Sequence, residues 1–166
     1  MPAAGRPPRL VVGYDGSPAA RLAVAVAARR AGPHGIVWIV HALHQPPDRY
    51  EPADKERWYA EHRDRAWSVL DGLLLGDAAE LAETTYETEL VEGPPPAAIV
   101  AVARKHDADE IVVGSRGLGS VRALLGSVSH ELLEIADRPV LVIPAGALSG
   151  PSASPRDAGR TAGTRR

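Results

Sequence analysis

Residues 109–144 read DEIVVGSRGLGSVRALLGSVSHELLEIADRPVLVIP, and this stretch decides the fold. Asp109 to Val113 is a short, mostly apolar run, the pattern of a strand covered on both faces. It gives way at Gly114 to a glycine-rich segment ending at Gly126. From Ser127 to Ala136 the residues Val128, Leu132, Ile135 and Ala136 recur at helical spacing. Pro139 and Pro144 then enclose Val140-Leu141-Val142-Ile143, the last strand. Strand, loop, helix and strand make one βαβ unit, which requires parallel strands and a right-handed crossover.

The same alternation runs back to the N-terminal side. Leu10 to Tyr14 is an apolar strand ended by Asp15-Gly16. Ser17-Pro18 supplies a helix cap and a proline at the first helical position. Ala19, Leu22, Ala23, Val26 and Ala27 form an apolar stripe, and Gly32-Pro33 stops the helix. Gly35 to Leu43 is a second buried strand, and Pro46-Pro47 opens a loop. A longer helix is expected from Asp54 to Leu75, with Trp58, His62, Ala66, Val69, Leu70 and Leu73 on one side. Thr84 to Glu92 alternates polar and apolar residues, as a half-exposed edge strand does. Pro94-Pro95-Pro96 precedes a helix carrying Ile99, Val100 and Ala103. The order β-α-β-α-β-α-β-α-β is that of an α/β domain, a parallel sheet with helices on both faces. Ligands of such sheets sit beyond the carboxyl ends of the strands, where strand order reverses.

Composition narrows the function classes. The 166 residues suit one domain able to bury its own core. The absence of cysteine removes disulfides, thiolate metal sites and cysteine nucleophiles. No apolar run reaches the ~18–20 residues of a membrane span, so no membrane partner is expected. Residues 1–8 lack the apolar stretch of a secretory leader, and the cytoplasm is the expected location. Arg6 and Arg9 make the N-terminal arm basic, and four arginines against Asp157 make residues 145–166 basic. The segment between them is acidic, which argues against a nucleic-acid partner. Residues 1–8 are expected to be a disordered arm, 9–144 the folded domain, and 145–166 a disordered basic tail.

Two strand ends carry the least generic residues. Glycines from Gly114 onward let backbone amides approach an anion, and a helix starting near Ser127 offers unpaired N–H groups to phosphate. Ser127 and Ser129 would add hydroxyl donors. The same residues could equally form a glycine-rich turn with a serine cap. Lysine is absent from residues 114–129, so this is not a P-loop. Asp15 could accept from ribose hydroxyls, hold a metal bound to phosphates, or serve only as a turn carboxylate. The first βα turn lacks G-x-G-x-x-G, and no G-x-S-x-G occurs. His41 and His44 would lie on opposite faces of an extended chain, a poor metal pair. His130 reads as an exposed helix histidine.

Val11-Val12-Gly13-Tyr14-Asp15-Gly16-Ser17, Val37-Trp38-Ile39-Val40-His41-Ala42 and the run from Gly114 to Pro144 together resemble the universal stress protein family over about residues 9–144. The family's nucleotide-binding branch carries G-x2-G-x9-G-[S/T]. Here Gly114, Gly117, Gly126 and Ser127 fit it, but the gap 118–125 holds eight residues, one fewer than the family's pattern. The resemblance implies a five-stranded sheet of order 3-2-1-4-5 with ATP, or AMP, ADP or cyclic AMP, at the ends of strands one and four. It implies that Gly13 lines the cleft, that Asp15 meets ribose or a Mg²⁺ ion held through the phosphates, and that the Ala42 backbone contacts adenine. Gly114, Gly117, Gly126, Ser127 and Val128 would hold ribose and phosphates, with Ser129 nearby. It also implies a homodimer through Val140–Ile143, an apolar edge strand otherwise open to mispairing. The function expected on this basis is a stress-response module signalling through a bound adenine nucleotide. A nucleotide-free dimeric interaction protein and a slow Mg²⁺-dependent ATPase are the alternatives.

Overall fold

Strand β1 (Arg9–Gly13) occupies the middle of the sheet, between β2 (Ile36–Leu43) and β4 (Glu110–Gly114), in the computed structural model. The structure describes residues 5–46, 48–76, 81–115 and 125–144. β3 (Thr85–Glu92) pairs with β2 and β5 (Val140–Ile143) with β4, giving the order 3-2-1-4-5 with every pairing parallel. The connecting helices are α1 (Pro18–Ala31), α2 (Pro52–Gly76), α3 (Pro95–Lys105) and α4 (Ser127–Ile135). Fold class, strand order and element sequence are those expected, and element ends differ from the sequence reading by a residue or two.

Side-chain alternation divides the core into two halves. Leu10, Val12, Val37, Ile39 and Val112 pack on one face against α1 and against Leu70 and Leu73 of α2. Val11, Trp38, Val40, Ile111 and Val113 pack on the other face against Ile99, Val102 and Ala103 of α3 and Leu132 of α4. A strand buried on both faces has no polar side to show, which is why these segments are continuous apolar runs.

Helix α1 begins as its sequence dictates. Ser17 Oγ accepts from the Ala20 amide at 3.2 Å and Pro18 opens the first turn. Gly32, at φ 62°, ends the helix in a conformation that favours glycine. The expected stripe understates its burial. Ala20, Val24 and Ala28 are buried too, whereas Val26 is only partly so. Small alanines let the helix lie close on the sheet over a wide face.

Two further details depart from expectation. In α4 the line Val128, Leu132, Ala136 meets the core, while Ile135 falls to one side and is 40% exposed. The arm expected to be disordered over residues 1–8 is held from Arg6 onward. The Arg6 guanidinium donates to Asp109 Oδ1 at 2.6 Å and also reaches the Asp107 carboxylate, and Asp109 Oδ2 accepts from the Arg9 amide at 2.9 Å. Residues 1–4 and 145–166 lie outside the described residues.

Edge strand β3 is fastened by polar chemistry. Its first three residues are exposed. Trp38 Nε1 donates to Glu87 at 2.9 Å, and the Trp38 ring stacks on His106 with centroids 4.2 Å apart. His106 Nε2 and Lys105 Nζ both meet the Glu89 carboxylate, tying the end of α3 to the edge.

Candidate functional site

The site arises because β1 stops before its neighbours at the carboxyl end of the sheet. β1 ends at Gly13 opposite Val40 and Val113, while β2 continues through His41, Ala42 and Leu43, and β4 through Gly114. The sheet is therefore notched at its carboxyl edge. From β1 the chain crosses one way to β2, while β4 lies on the other side, so the notch falls at the reversal of strand order. A cleft of about 640 Å³ occupies it. That is within the range of small-molecule sites.

The turn after β1 forms one wall. Gly16 takes φ 80°, which favours glycine. Asp15 Oδ1 accepts from the Ser17 amide at 3.0 Å, so one carboxylate oxygen is used to hold the turn. The second oxygen remains the acidic group of the cleft. His41 Nδ1 donates to the Tyr14 carbonyl at 2.8 Å, which fixes the proton on Nδ1 and leaves Nε2 as the free nitrogen of the neutral ring.

The start of α4 forms the opposite wall. Its cap residue is Gly126, at φ −76° and ψ 163°, with no side-chain cap; the serine cap considered from the sequence is not used. The Gly126 amide donates to the Ser115 carbonyl at 2.6 Å, and Ser115 N to Ile143 O at 2.7 Å. Helix geometry leaves the amides of Ser127, Val128 and Ser129 without a carbonyl one turn earlier. They carry the positive end of the helix dipole. Ser129 Oγ is buried and shares its single proton between the carbonyls of Ser115 and Gly126, at 3.2 and 3.0 Å. The hydroxyl donor expected of Ser129 is thus spent on the chain itself, binding α4 to the end of β4.

Gly13, Asp15, Ala42, Gly114, Gly126, Ser127, Val128 and Ser129 all line this one cleft. Gly117 lies outside the described residues. The reason for glycine at two positions is packing. A Cβ on Gly114 would come within 2.8 Å of the Ala19 carbonyl carbon and Cβ, and one on Gly13 within 2.6 Å of Ile99 Cδ1. Both His41 and His44 also line the cleft, because β2 ends at Leu43 and the extended-chain geometry no longer applies. Among the described residues no group of three or more His, Asp and Glu side chains is arranged to hold a metal ion. His130 is exposed, 3.5 Å from Glu134.

The sequence reading missed the wall contributed by α2. Trp58, His62, Arg65, Ala66 and Val69 line the cleft. Trp58 and His62 stack with centroids 3.8 Å apart, and His62 Nδ1 donates to the Trp58 carbonyl at 2.8 Å. The visible signal is that the apolar stripe of α2 becomes aromatic and basic in its first turns. Only beyond Val69 does it become plain core.

A sequence model of the universal stress protein family matches residues 8–144. The chain belongs to this family. It is 37% identical over 142 residues to a universal stress protein of Thermus aquaticus, covering 81% of this chain and 96% of that protein. It is 36% identical over 140 residues to the universal stress protein Rv2624c of Mycobacterium tuberculosis, of which it spans 47%. Among solved structures, the universal stress protein UspA of Lactobacillus plantarum superposes with a TM-score of 0.71 at 23% identity, covering 84% of this chain and 99% of that one. A universal stress protein solved in complex with cAMP superposes with a TM-score of 0.52 at 29% identity, covering 83% and 97%.

Proposed function

We propose that this universal stress protein binds an adenine nucleotide, ATP or a close relative, in the cleft at the ends of β1 and β4. The observation that carries this reading is that the first turn of α4, whose amides have no partner within the helix, and the Asp15 turn line the same notch of the sheet. The relative solved with cAMP supports the ligand class. The phosphates would meet the amides of Ser127, Val128 and Ser129, with ribose beside Asp15 and the base beside Ala42. A Mg²⁺ ion would enter with the phosphates and use the second oxygen of Asp15. The protein would act in the cytoplasm as a stress-response module read out through its bound nucleotide, and as a homodimer joined along β5.

Calorimetric titration with ATP, ADP, AMP and cyclic AMP tests the reading, using Gly126→Val as control. The backbone angles of Gly126 suit any residue, so a valine there changes the cleft rather than the turn. The expected result is binding at or below the micromolar range by the native chain and at least a tenfold loss in the variant, with an unchanged melting temperature. No binding below millimolar by the native chain overturns it.

A further inference from the structure

We infer that Arg65 selects nucleoside di- and triphosphates over mono- and cyclic phosphates in this cleft, a proposal that rests on the nucleotide-binding reading above. The argument begins with what Arg65 lacks. Its neighbours on α2 have carboxylates: Arg57 lies 4.0 Å from Asp54, and Arg63 lies 3.0 Å from Glu92. Arg65 has no ion-pair or hydrogen-bond partner among the described residues, yet it lines the cleft.

Its position follows from α2. A Cβ on Gly16 would stand 3.4 Å from Val69 Cγ1, so α2 rests on the Asp15 turn at Val69. Arg65 is four residues earlier, just over one turn or about 6 Å further toward the helix start. That places it above the turn on the mouth side, across the cleft from the opening of α4. A helix N-terminus can satisfy one phosphate with backbone amides. A second or third phosphate extends past those amides, and a guanidinium matches its paired oxygens. Adenosine offers no such group, and AMP and cyclic AMP offer only the phosphate that α4 already serves.

Around Arg65 the cleft also presents Asp15 from the first turn, His41 from β2, His44 just beyond it and His62 on α2.

The test is titration of the full chain with ATP, AMP and adenosine, comparing native protein, Arg65→Ala and Arg65→Lys. Arg65 is exposed, so both variants should fold, and circular dichroism melts check this. The expected result is a loss of about fivefold in ATP affinity for Arg65→Ala, the scale of an exposed ion pair. Adenosine and AMP affinities should change less than twofold, and Arg65→Lys should recover only part of the loss, because an ammonium keeps the charge but not the paired donors. Equal losses for ATP and adenosine, or an unchanged ATP affinity, overturn the role of Arg65 while leaving nucleotide binding standing. Absence of any binding by the native chain removes both.

Discussion

Replacing Gly114 by alanine tests whether the strand-end glycines serve packing. The added Cβ would lie 2.8 Å from the Ala19 carbonyl carbon, 2.8 Å from Ala19 Cβ and 3.0 Å from the Ala20 nitrogen. These atoms belong to the first turn of α1, which is buried and capped by Ser17. Relief requires moving a helix against a sheet, and overpacking of that kind costs about 1–3 kcal/mol. At Gly13 the nearest atom is the tip of Ile99, at 2.6 Å, with Val113 Cγ1 at 3.1 Å. A rotatable side-chain end can yield, so the cost there is about 1 kcal/mol. Glycine-to-alanine exchange also restricts the unfolded chain, returning about 0.4–1 kcal/mol at either site. The net expectation is a loss of about 1.3 kcal/mol for Gly114→Ala and nearly none for Gly13→Ala. For a chain of this size that is a fall of about 3–5 °C in Tm against less than about 2 °C. Thermal melts and urea titrations of the two variants measure it. Equal shifts, or a larger fall for Gly13→Ala, would refute the packing argument.

Ser129→Ala should lower stability by about 1–2 kcal/mol in urea titration, because the Ser115 and Gly126 carbonyls lose their shared donor in a buried place. Stability unchanged in that variant would show the hydroxyl to be idle. The carboxyl of Glu89 is subject to burial, which raises its pKa, but its bonds to Lys105 and His106 outweigh this and hold it below its ordinary value of 4.5. A lowered folded pKa stabilises the protein above the unfolded value and is lost as pH falls through the folded one. Below about pH 4.5 the native protein should therefore lose stability more steeply than Glu89→Gln, and parallel pH–stability curves from pH 6 to pH 3 would contradict this.

Alternating strand and helix patterns made the class of fold readable from the chain. Strand order came from the resemblance carried by Gly114–Pro144 and Val11–Ser17, since periodicity does not say which strands are neighbours. Asp15, Ala42 and Ser127 could be placed near one site because they follow strand ends, and strand ends of a parallel sheet converge. What could not be read was tertiary. Glycine at 114 looks the same whether it clears a phosphate or Ala19. Ser129 looks like a free donor until α4 is seen to dock on β4. Arg65 was hidden because Trp58, His62, Ala66 and Val69 make an apolar stripe, and a stripe does not reveal where core gives way to cleft. Ile135 was assigned to the core because helical spacing defines a face wider than the strip that α4 actually covers.

The two ends of the domain lie at opposite poles. Arg6 moors the incoming chain to Asp107 and Asp109, at the edge where β1 and β4 begin. β5, in contrast, finishes at Ile143, whose carbonyl is bonded to Ser115 beside the mouth of the cleft. An affinity handle fused ahead of Gly5 would hang far from that mouth, so a surface coupled through it leaves the opening facing solution. The same handle joined after Pro144 would begin at its doorstep.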